Sequence, residues 1–265
     1  MEKLPVWAET CAVRFAAIDK SDSMTLNAAM NFLQEAAISH AENLGVGREA
    51  MARTGQVWIL SRMSVQVDRR PRYGETVTVR SWPRGGEKLF ALRDFDIRDA
   101  DDRPAIRARS CWLIIDIEKR RPLRPQSIMD SLPQNEGMDS LPAAVGLAER
   151  PALSKTHEWR ALYTDVDYNG HANNVSYIRW MEDALEPALL EQATQMRLDI
   201  NYLNEVLPGE TVGIWSAPIE ETEATRAFAF EGRKTATPDP RSPTPDPRSS
   251  TPDSVAFRSE LRLWH

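Results

Sequence analysis

The sequence predicts an α+β fold made of two tandem domains, each an antiparallel sheet wrapped around a long central helix. Two patterns predict this fold: a repeat of strand-forming segments and an amphipathic helical pattern ahead of each copy. The composition agrees, because 42% of the 265 residues are hydrophobic and 27% are charged, as in ordinary globular proteins. A chain of this length can bury two cores of modest size.

The strand repeat is the clearest internal similarity. The segment that runs from Arg62 to Val77 matches, without a gap, the segment that begins 135 residues later at Arg197. Both copies alternate apolar and polar residues, the period of a half-buried strand, and both continue into a Gly-Glu-Thr-Val turn at Gly74 or Gly209. Further strands are expected after each turn.

A helical pattern precedes each strand repeat, with apolar residues three and four positions apart. The apolar positions are Met30, Leu33, Ala37, Ala41 and Leu44 in the first half, and Val175, Ile178, Met181, Leu185, Ala188 and Leu189 in the second. An offset of 146 residues aligns Asp19 with Asp165 and Asn27 with Asn173. Either asparagine is a suitable N-cap, since its side-chain oxygen can accept a free backbone N–H.

Composition shifts predict the domain boundaries. We expect an N-terminal domain at 1–128, a linker at 129–150 rich in Pro, Ser, Asp and Gly, and a C-terminal domain at 151–265. Within the second domain, a seven-residue repeat of Thr-Pro-Asp-Pro-Arg-Ser fills an insert at 235–254. Proline at this density favours a disordered or polyproline-like loop.

Charge, cysteine content and hydropathy exclude several classes. The 39 acidic and 33 basic residues give a net charge of −6, which argues against a nucleic-acid-binding protein. The two cysteines, Cys11 and Cys111, are too few and too far apart for a disulfide scaffold or a cysteine-rich zinc site. With no apolar leader and no long apolar run, the sequence predicts a cytoplasmic protein without a membrane span.

The entry to the second helix carries the most specific motif, Asp165-Val-Asp-Tyr-Asn-Gly-His-Ala-Asn-Asn-Val-Ser-Tyr-Ile. It resembles the acyl-[acyl carrier protein] thioesterases of bacteria and plant plastids, whose signature is Asp-x-Asn-x-His-x-Asn-Asn-x-x-Tyr-Ile. The segment from Trp58 to Pro71 resembles the same family. The resemblance implies a double hotdog fold and a hydrolase of fatty acid biosynthesis and lipid metabolism, which releases free fatty acid from acyl carrier protein and so terminates elongation.

The resemblance also implies a catalytic set and its partners. The matching residues are Asp167, Asn169, His171 and Glu205, with Glu205 as the candidate base that activates water. His171 would assist proton transfer, and Asp167 would orient its neighbours or, as the less favoured alternative, attack directly. Val206 follows Glu205 where the family often has cysteine, so no thiol nucleophile is expected there.

Helix-entry and first-half residues are the candidates for substrate binding. We assign Asn173 and Asn174 to this role, together with lining residues of an acyl-chain tunnel that belong equally well to a plain core: Met30, Phe32, Leu33, Val57 and Trp58. The 146-residue offset places Ser21, Ser23 and Thr25 opposite Asp167, Asn169 and His171, and the 135-residue offset places Arg70 opposite Glu205. We therefore expect one catalytic set per chain.

The expected partner is acyl carrier protein, an acidic protein that two basic runs could steer. These runs are Arg69, Arg70 and Arg72, and Lys119, Arg120, Arg121 and Arg124. No cofactor or metal is expected, and the chain could be a monomer or a homodimer. The alternatives are an acyl-CoA thioesterase of the same fold, a noncatalytic acyl-binding protein and, least in keeping with the motif, a dehydratase.

Overall fold

The chain forms two compact units. The computed structural model describes residues 2–235 and 254–265. Unit 1 comprises Met1–Val145 and Thr194–Arg197, and unit 2 comprises Gly146–Ala193 and Leu198–His265. Apart from its two end residues, the predicted proline-rich insert at 235–254 lies outside the described residues.

Unit 1 contains an antiparallel sheet and one long helix. Its sheet has the order β1-β3-β4-β5-β2, with the short β6 on β5. The elements are β1 (Trp7–Ala12), α1 (Leu26–Leu44), α2 (Arg48–Arg53), β2 (Gln56–Val67), β3 (Thr76–Glu87), β4 (Phe90–Arg98), β5 (Pro104–Asp116), β6 (Arg121–Leu123) and α3 (Gln126–Met129).

The start of α1 differs from the prediction by two residues. Thr25, rather than Asn27, is the N-cap, and its hydroxyl accepts the N–H of Ala28 at 3.1 Å. Asn27 lies inside the first turn. A threonine hydroxyl satisfies a free N–H as an asparagine oxygen would, so the helix begins earlier than the asparagine suggests. The helix ends at Gly45, whose φ of 76° is the left-handed conformation that glycine adopts without strain.

The residues predicted to line an acyl tunnel belong to unit 1 and differ in burial. Met30 and Leu33 are buried on α1, whereas Phe32, Val57 and Trp58 are partly buried. The Trp58 indole packs against a buried cluster and donates its N–H to the Val46 carbonyl at 2.9 Å. All five therefore contribute to or border the core, and their contact with an acyl chain stays a prediction.

The first part of the predicted linker at 129–150 packs onto unit 1. Met129 and Leu132 are buried in one cluster with Leu44 and Ala91. The boundary between the units falls between Val145 and Gly146, within the predicted segment.

A buried histidine lies between α1 and the sheet of unit 1. The Nε2 of His40 lies 2.9 Å from the Leu4 carbonyl, and its Nδ1 lies 3.1 Å from a guanidinium nitrogen of Arg93. Because arginine can only donate, Nδ1 must accept and Nε2 must carry the proton. Burial, reinforced by the charge of Arg93, lowers the pKa of His40 to about 4, so the ring is neutral in the folded protein at neutral pH.

This histidine predicts acid sensitivity. Below pH 6.5 the unfolded chain binds a proton at His40 that the folded chain refuses until about pH 4, so stability falls as the pH drops through that window. We expect the loss to approach about 3 kcal/mol at pH 4. Urea unfolding at pH 7.0 and 5.5 measures it, and His40→Gln should flatten the slope while the exposed-site control His157→Gln should not. An unchanged slope in His40→Gln contradicts the assignment.

Unit 2 repeats the architecture with a shorter helix. Its sheet has the order β8-β11-β10-β9-β7. The elements are β7 (Ser154–Arg160), α4 (Asn174–Glu182), α5 (Pro187–Gln192), β8 (Gln195–Tyr202), β9 (Thr211–Glu221), β10 (Thr225–Thr235) and β11 (Val255–Trp264). The helix α4 packs on the sheet, since the Tyr177 ring meets those of Tyr202 and Phe257 edge-on at 5.6 Å.

The second helical pattern, from Val175 to Leu189, forms two helices rather than one. Glu186 has an extended backbone, with ψ at 125°, and Pro187 opens the next helix. A residue that precedes proline is driven out of the helical region by the proline ring, which explains the break. Within the described parts of the chain, no helix combines the length and apolar character needed to cross a membrane.

Candidate active site

The loop that carries three of the predicted residues is a closed turn ahead of α4. The Asp167 N–H donates to the His171 carbonyl at 3.0 Å, and Gly170 completes the turn with a φ of 84°. This closure places both side chains at one end of the turn, where the His171 Nδ1 lies 3.9 Å from the Asp167 Oδ1. Both side chains are partly buried, so this end of the turn remains open to solvent.

Asn169 fixes the Asp167 carboxylate. Its backbone N–H donates to one carboxylate oxygen at 2.8 Å, and its side-chain amide donates to the other at 3.3 Å. Asn169 itself is exposed. The asparagine therefore holds the aspartate in place, and its amide would have to turn to reach a substrate.

Glu205 lies on a connection, residues 203–210, that contacts this loop. The N–H of Ala172, next to His171, donates to the Val206 carbonyl at 2.7 Å. The buried Tyr177 donates its hydroxyl to the Asn204 carbonyl at 3.4 Å. These two hydrogen bonds bring the backbone around Glu205 against the His171 loop and α4.

The pKa of Tyr177 reports on the same neighbourhood. Burial raises it most, and the charges of Glu205, Glu210 and Asp167 raise it further. Glu205 and Asp167 are thus both within electrostatic range of one hydroxyl. The Glu205 side chain is exposed, and its carboxylate makes no hydrogen bond or ion pair with the residues at 2–235 and 254–265. Its oxygens are available to accept a proton.

Asp165 and Asn173 organise the loop. The buried Asp165 carboxylate accepts the Leu162 N–H at 2.8 Å and the Trp180 indole N–H at 3.3 Å, and it forms an ion pair with Arg179. Asn173 is the N-cap of α4, as predicted, and accepts the Val175 N–H at 2.9 Å. Both side chains are therefore occupied in holding the helix entry.

Asn174 opens α4 and lies beside the sheet. Its carbonyl accepts the Tyr202 hydroxyl at 3.3 Å. The side chain is partly buried, and its predicted contact with substrate stays a prediction.

Unit 1 has the same loop at a different offset. Four backbone hydrogen bonds recur in the two units with nearly equal lengths, of 2.7 to 3.1 Å. In donor-to-acceptor order they are Asp19 to Ser23 and Asp167 to His171, Asp22 to Asp19 and Gly170 to Asp167, Thr25 to Ala17 and Asn173 to Asp165, and Met24 to Pro71 and Ala172 to Val206. The loops match at an offset of 148 residues, so the offset of 146 taken from the sequence is wrong by two.

The corrected offset changes which residues are equivalent. Asp19, Ser21 and Ser23 match the three loop residues of the candidate set, and Thr25 matches Asn173, the other helix cap. The sequence had placed Ser21, Ser23 and Thr25 there. Aspartate is therefore retained in unit 1, while the asparagine and the histidine are each replaced by serine.

Arg70 keeps its match to Glu205 and shows where that position points. Its guanidinium forms an ion pair with Asp19 and donates to the carbonyls of Ser23 and Met24 at 3.1 and 2.9 Å. In unit 1 the side chain at this position thus reaches the loop directly. The repeated geometry argues that Glu205 is directed toward the Asp167 and His171 loop in unit 2.

Sequence reasoning missed two neighbours of Glu205. Lys234, on β10, is buried and donates to the Glu205 carbonyl at 3.1 Å, and it forms an ion pair with Glu210. The repeated Gly-Glu-Thr-Val turn contained the signal for Glu210. Nothing in the local sequence around Lys234 indicates its contact.

The largest cavity found in unit 2 lies elsewhere. It has a volume of about 380 Å³ and is bordered by residues 148–153 and 217–219 and by Glu260. None of the four candidate residues lines it. In the described portion of the chain, no group of three or more His, Cys, Asp and Glu side chains is arranged to hold a metal ion.

The two basic runs differ in availability. Arg69 is paired with Glu75 and Arg70 is buried, so the first run is largely committed to internal contacts. In the second run, Lys119 lies 3.5 Å from the Asp116 carboxylate. All four basic side chains of that run are exposed around the β5–β6 turn.

Comparisons with known proteins agree with the motifs. The chain matches the model of the acyl-ACP thioesterase N-terminal domain over residues 5–132 and that of the C-terminal domain over residues 148–236. An acyl-[acyl-carrier-protein] hydrolase of Cuphea viscosissima is 29% identical over 219 residues, covering 76% of this chain and 52% of the relative. An oleoyl-acyl carrier protein thioesterase of Coriandrum sativum is 24% identical and covers 89% and 69%. The chain thus spans about half the length of the first of these relatives.

Solved structures confirm the predicted fold class. An acyl-ACP thioesterase of Bacteroides thetaiotaomicron superimposes with a TM-score of 0.78 at 22% identity, covering 98% of both chains. A 12:0-ACP thioesterase of Umbellularia californica gives 0.77 at 20% identity, covering 98% of this chain and 97% of that one. The tandem arrangement of antiparallel sheets and helices is therefore that of these proteins.

Proposed function

Since this chain belongs to the acyl-ACP thioesterase family, we propose that it hydrolyses the thioester of fatty acyl-ACP to free fatty acid and carrier protein. The observation that carries the proposal is the hydrogen bond from Ala172 to Val206, which joins the His171 loop to the segment with Glu205. The contact of Arg70 with Asp19 at the matching place in unit 1 supports it.

In the proposed mechanism, Glu205 accepts a proton from water as the water oxygen attacks the thioester carbonyl carbon. The C–S bond then breaks, and a proton is delivered to the leaving thiolate. His171 is the expected donor, because an imidazole can exchange protons near neutral pH. Asp167, held by Asn169, lies 3.9 Å from the imidazole and is assigned to orient it.

The start of α4 is the expected oxyanion site. The positive end of the helix dipole favours the negative charge that develops on the carbonyl oxygen. Asn173 already accepts the Val175 N–H, so the N–H of Asn174 is the donor that we expect to face the oxyanion. In this role the backbone of Asn174, more than its side chain, contacts the substrate.

The exposed basic residues around the β5–β6 turn are the expected contact for the acidic carrier protein: Lys119, Arg120, Arg121 and Arg124. If so, the rate of association should fall as salt screens the charges. The tunnel role of the unit 1 residues, the cytoplasmic location and the monomer or homodimer remain predictions.

One assay tests the proposed reaction. Purified full-length chain is given the same acyl groups on carrier protein and on coenzyme A, and free fatty acid and free thiol are quantified together. We expect both products in equal amounts, with a higher kcat/KM on the carrier-linked substrate that falls with ionic strength. Preference for the coenzyme A substrate would favour an acyl-CoA thioesterase, and chain binding without release of thiol would favour a noncatalytic acyl-binding protein.

A further inference from the structure

A buried lysine lies beneath the connection that carries Glu205. Lys234 is 3% exposed on β10, and its ammonium group donates to the Glu205 carbonyl at 3.1 Å. The same ammonium forms an ion pair with Glu210, whose carboxylate accepts the Leu207 N–H at 2.8 Å. One cation therefore ties down the backbone at Glu205 and, through Glu210, the backbone two residues later.

These contacts fix the connection on a rigid element. The N–H of Lys234 donates to the Ser254 carbonyl at 2.9 Å, so its own backbone is held at the start of β11. A lysine in this environment is costly to bury unless its charge is paired and its N–H groups are bonded. Glu210 and the Glu205 carbonyl meet both needs. Movement of residues 205–207 would break these bonds.

Unit 1 lacks the equivalent cation. The pairing of β9 with β10 places Gly213 opposite Arg233, and the pairing of β3 with β4 places Thr78 opposite Arg98, again 135 residues earlier. The residue that matches Lys234 is therefore Asp99. The buried lysine occurs only in the unit that carries the histidine and the glutamate.

We propose that Lys234 is a positioning residue, which holds the backbone of Glu205 so that its carboxylate faces the His171 loop during thioester hydrolysis. This inference rests on the proposed function. Lys234 touches neither water nor substrate in this role, and it acts through the peptide group of Glu205. Misplacement of a base by about 1 Å costs on the order of 100-fold in rate, so loss of Lys234 should lower kcat more than it alters KM.

The test uses a neutral double variant, because Lys234→Met alone would leave Glu210 buried and without its cation. Lys234→Met with Glu210→Gln removes both charges together. The matched control is Lys155→Met with Glu158→Gln, which removes an exposed ion pair on β7 of the same unit. Steady-state hydrolysis of acyl-ACP is measured per folded molecule, and amide hydrogen exchange is followed in the peptide that contains residues 203–207.

We expect the double variant to lose about 10- to 100-fold in kcat with KM within about twofold, and to exchange faster at 203–207. Lys234→Arg should restore most of the rate, since it retains a buried donor and charge. Unchanged kcat or unchanged exchange in the folded double variant, or an equal loss in the control, overturns the inference. Wild-type chain without acyl-ACP hydrolysis contradicts the proposed function instead, and the exchange measurement still reports whether Lys234 holds the segment.

Discussion

Replacing Glu205 by glutamine should lower kcat for acyl-ACP hydrolysis by about 100- to 10,000-fold, the usual contribution of a positioned general base. Glutamine keeps the size of the side chain but cannot take a proton from water. Since Glu205 is exposed, with no bonded side-chain partner in the described chain, unfolding free energy should change by less than about 0.5 kcal/mol. Steady-state kinetics and urea unfolding on the same preparation measure the two quantities.

The control for this variant is Glu220→Gln, which removes a carboxylate paired with Arg262 at the surface of unit 2. It should leave kcat within twofold of the wild type. If Glu205 and His171 act on one water, the double variant Glu205→Gln with His171→Gln should be little slower than the slower single variant. Turnover by Glu205→Gln within a few-fold of the wild type would remove Glu205 from the chemistry.

The strand repeat was the part of the fold that could be predicted with most detail. A period of two over 16 gapless positions fixes both the strands and the face that each buries, because a slip of one residue would expose the apolar side chains. The tandem architecture followed from it. The length of the second helix did not, since an apolar periodicity continues through Pro187 although the backbone cannot.

The two-residue error in aligning the loops has a definite physical cause. Matching side-chain types paired Asn27 with Asn173, whereas the helix is capped by whichever residue first offers an oxygen to a free N–H, and in unit 1 that is Thr25. Caps of different chemistry are interchangeable in structure but not in a sequence comparison. The backbone hydrogen bonds decide the register, and they become visible only in the fold.

The candidate set could be named from one motif, but its support could not. Asp167, Asn169 and His171 are close in sequence, and their alternation predicts a shared loop. Lys234 reaches Glu205 across 29 residues and one sheet, and Tyr177 joins the site through α4. Contacts of this kind depend on tertiary packing, which local patterns do not encode.

Arg70 offers the converse of the Glu205 experiment. Arg70→Met should destabilise the protein by about 3 kcal/mol, because it leaves the Asp19 carboxylate and the carbonyls of Ser23 and Met24 without their buried donor. Activity per folded molecule should change only a few-fold. Urea unfolding at pH 7 and acyl-ACP turnover at a permissive temperature measure the two effects, with Arg103→Met as the exposed control.

The two positions are equivalent in the repeat, so the pair of variants separates structure from chemistry at one place in the fold. In unit 1 a cation fills the gap between connection and loop, neutralises the aspartate and locks both. In unit 2 a carboxylate takes that position, and the locking falls instead to Lys234 below the backbone. Glu205→Gln should therefore lose rate and keep stability, while Arg70→Met loses stability and keeps rate. If both variants lost only stability, the connection would be structural in both units and Glu205 would have no claim to be the base.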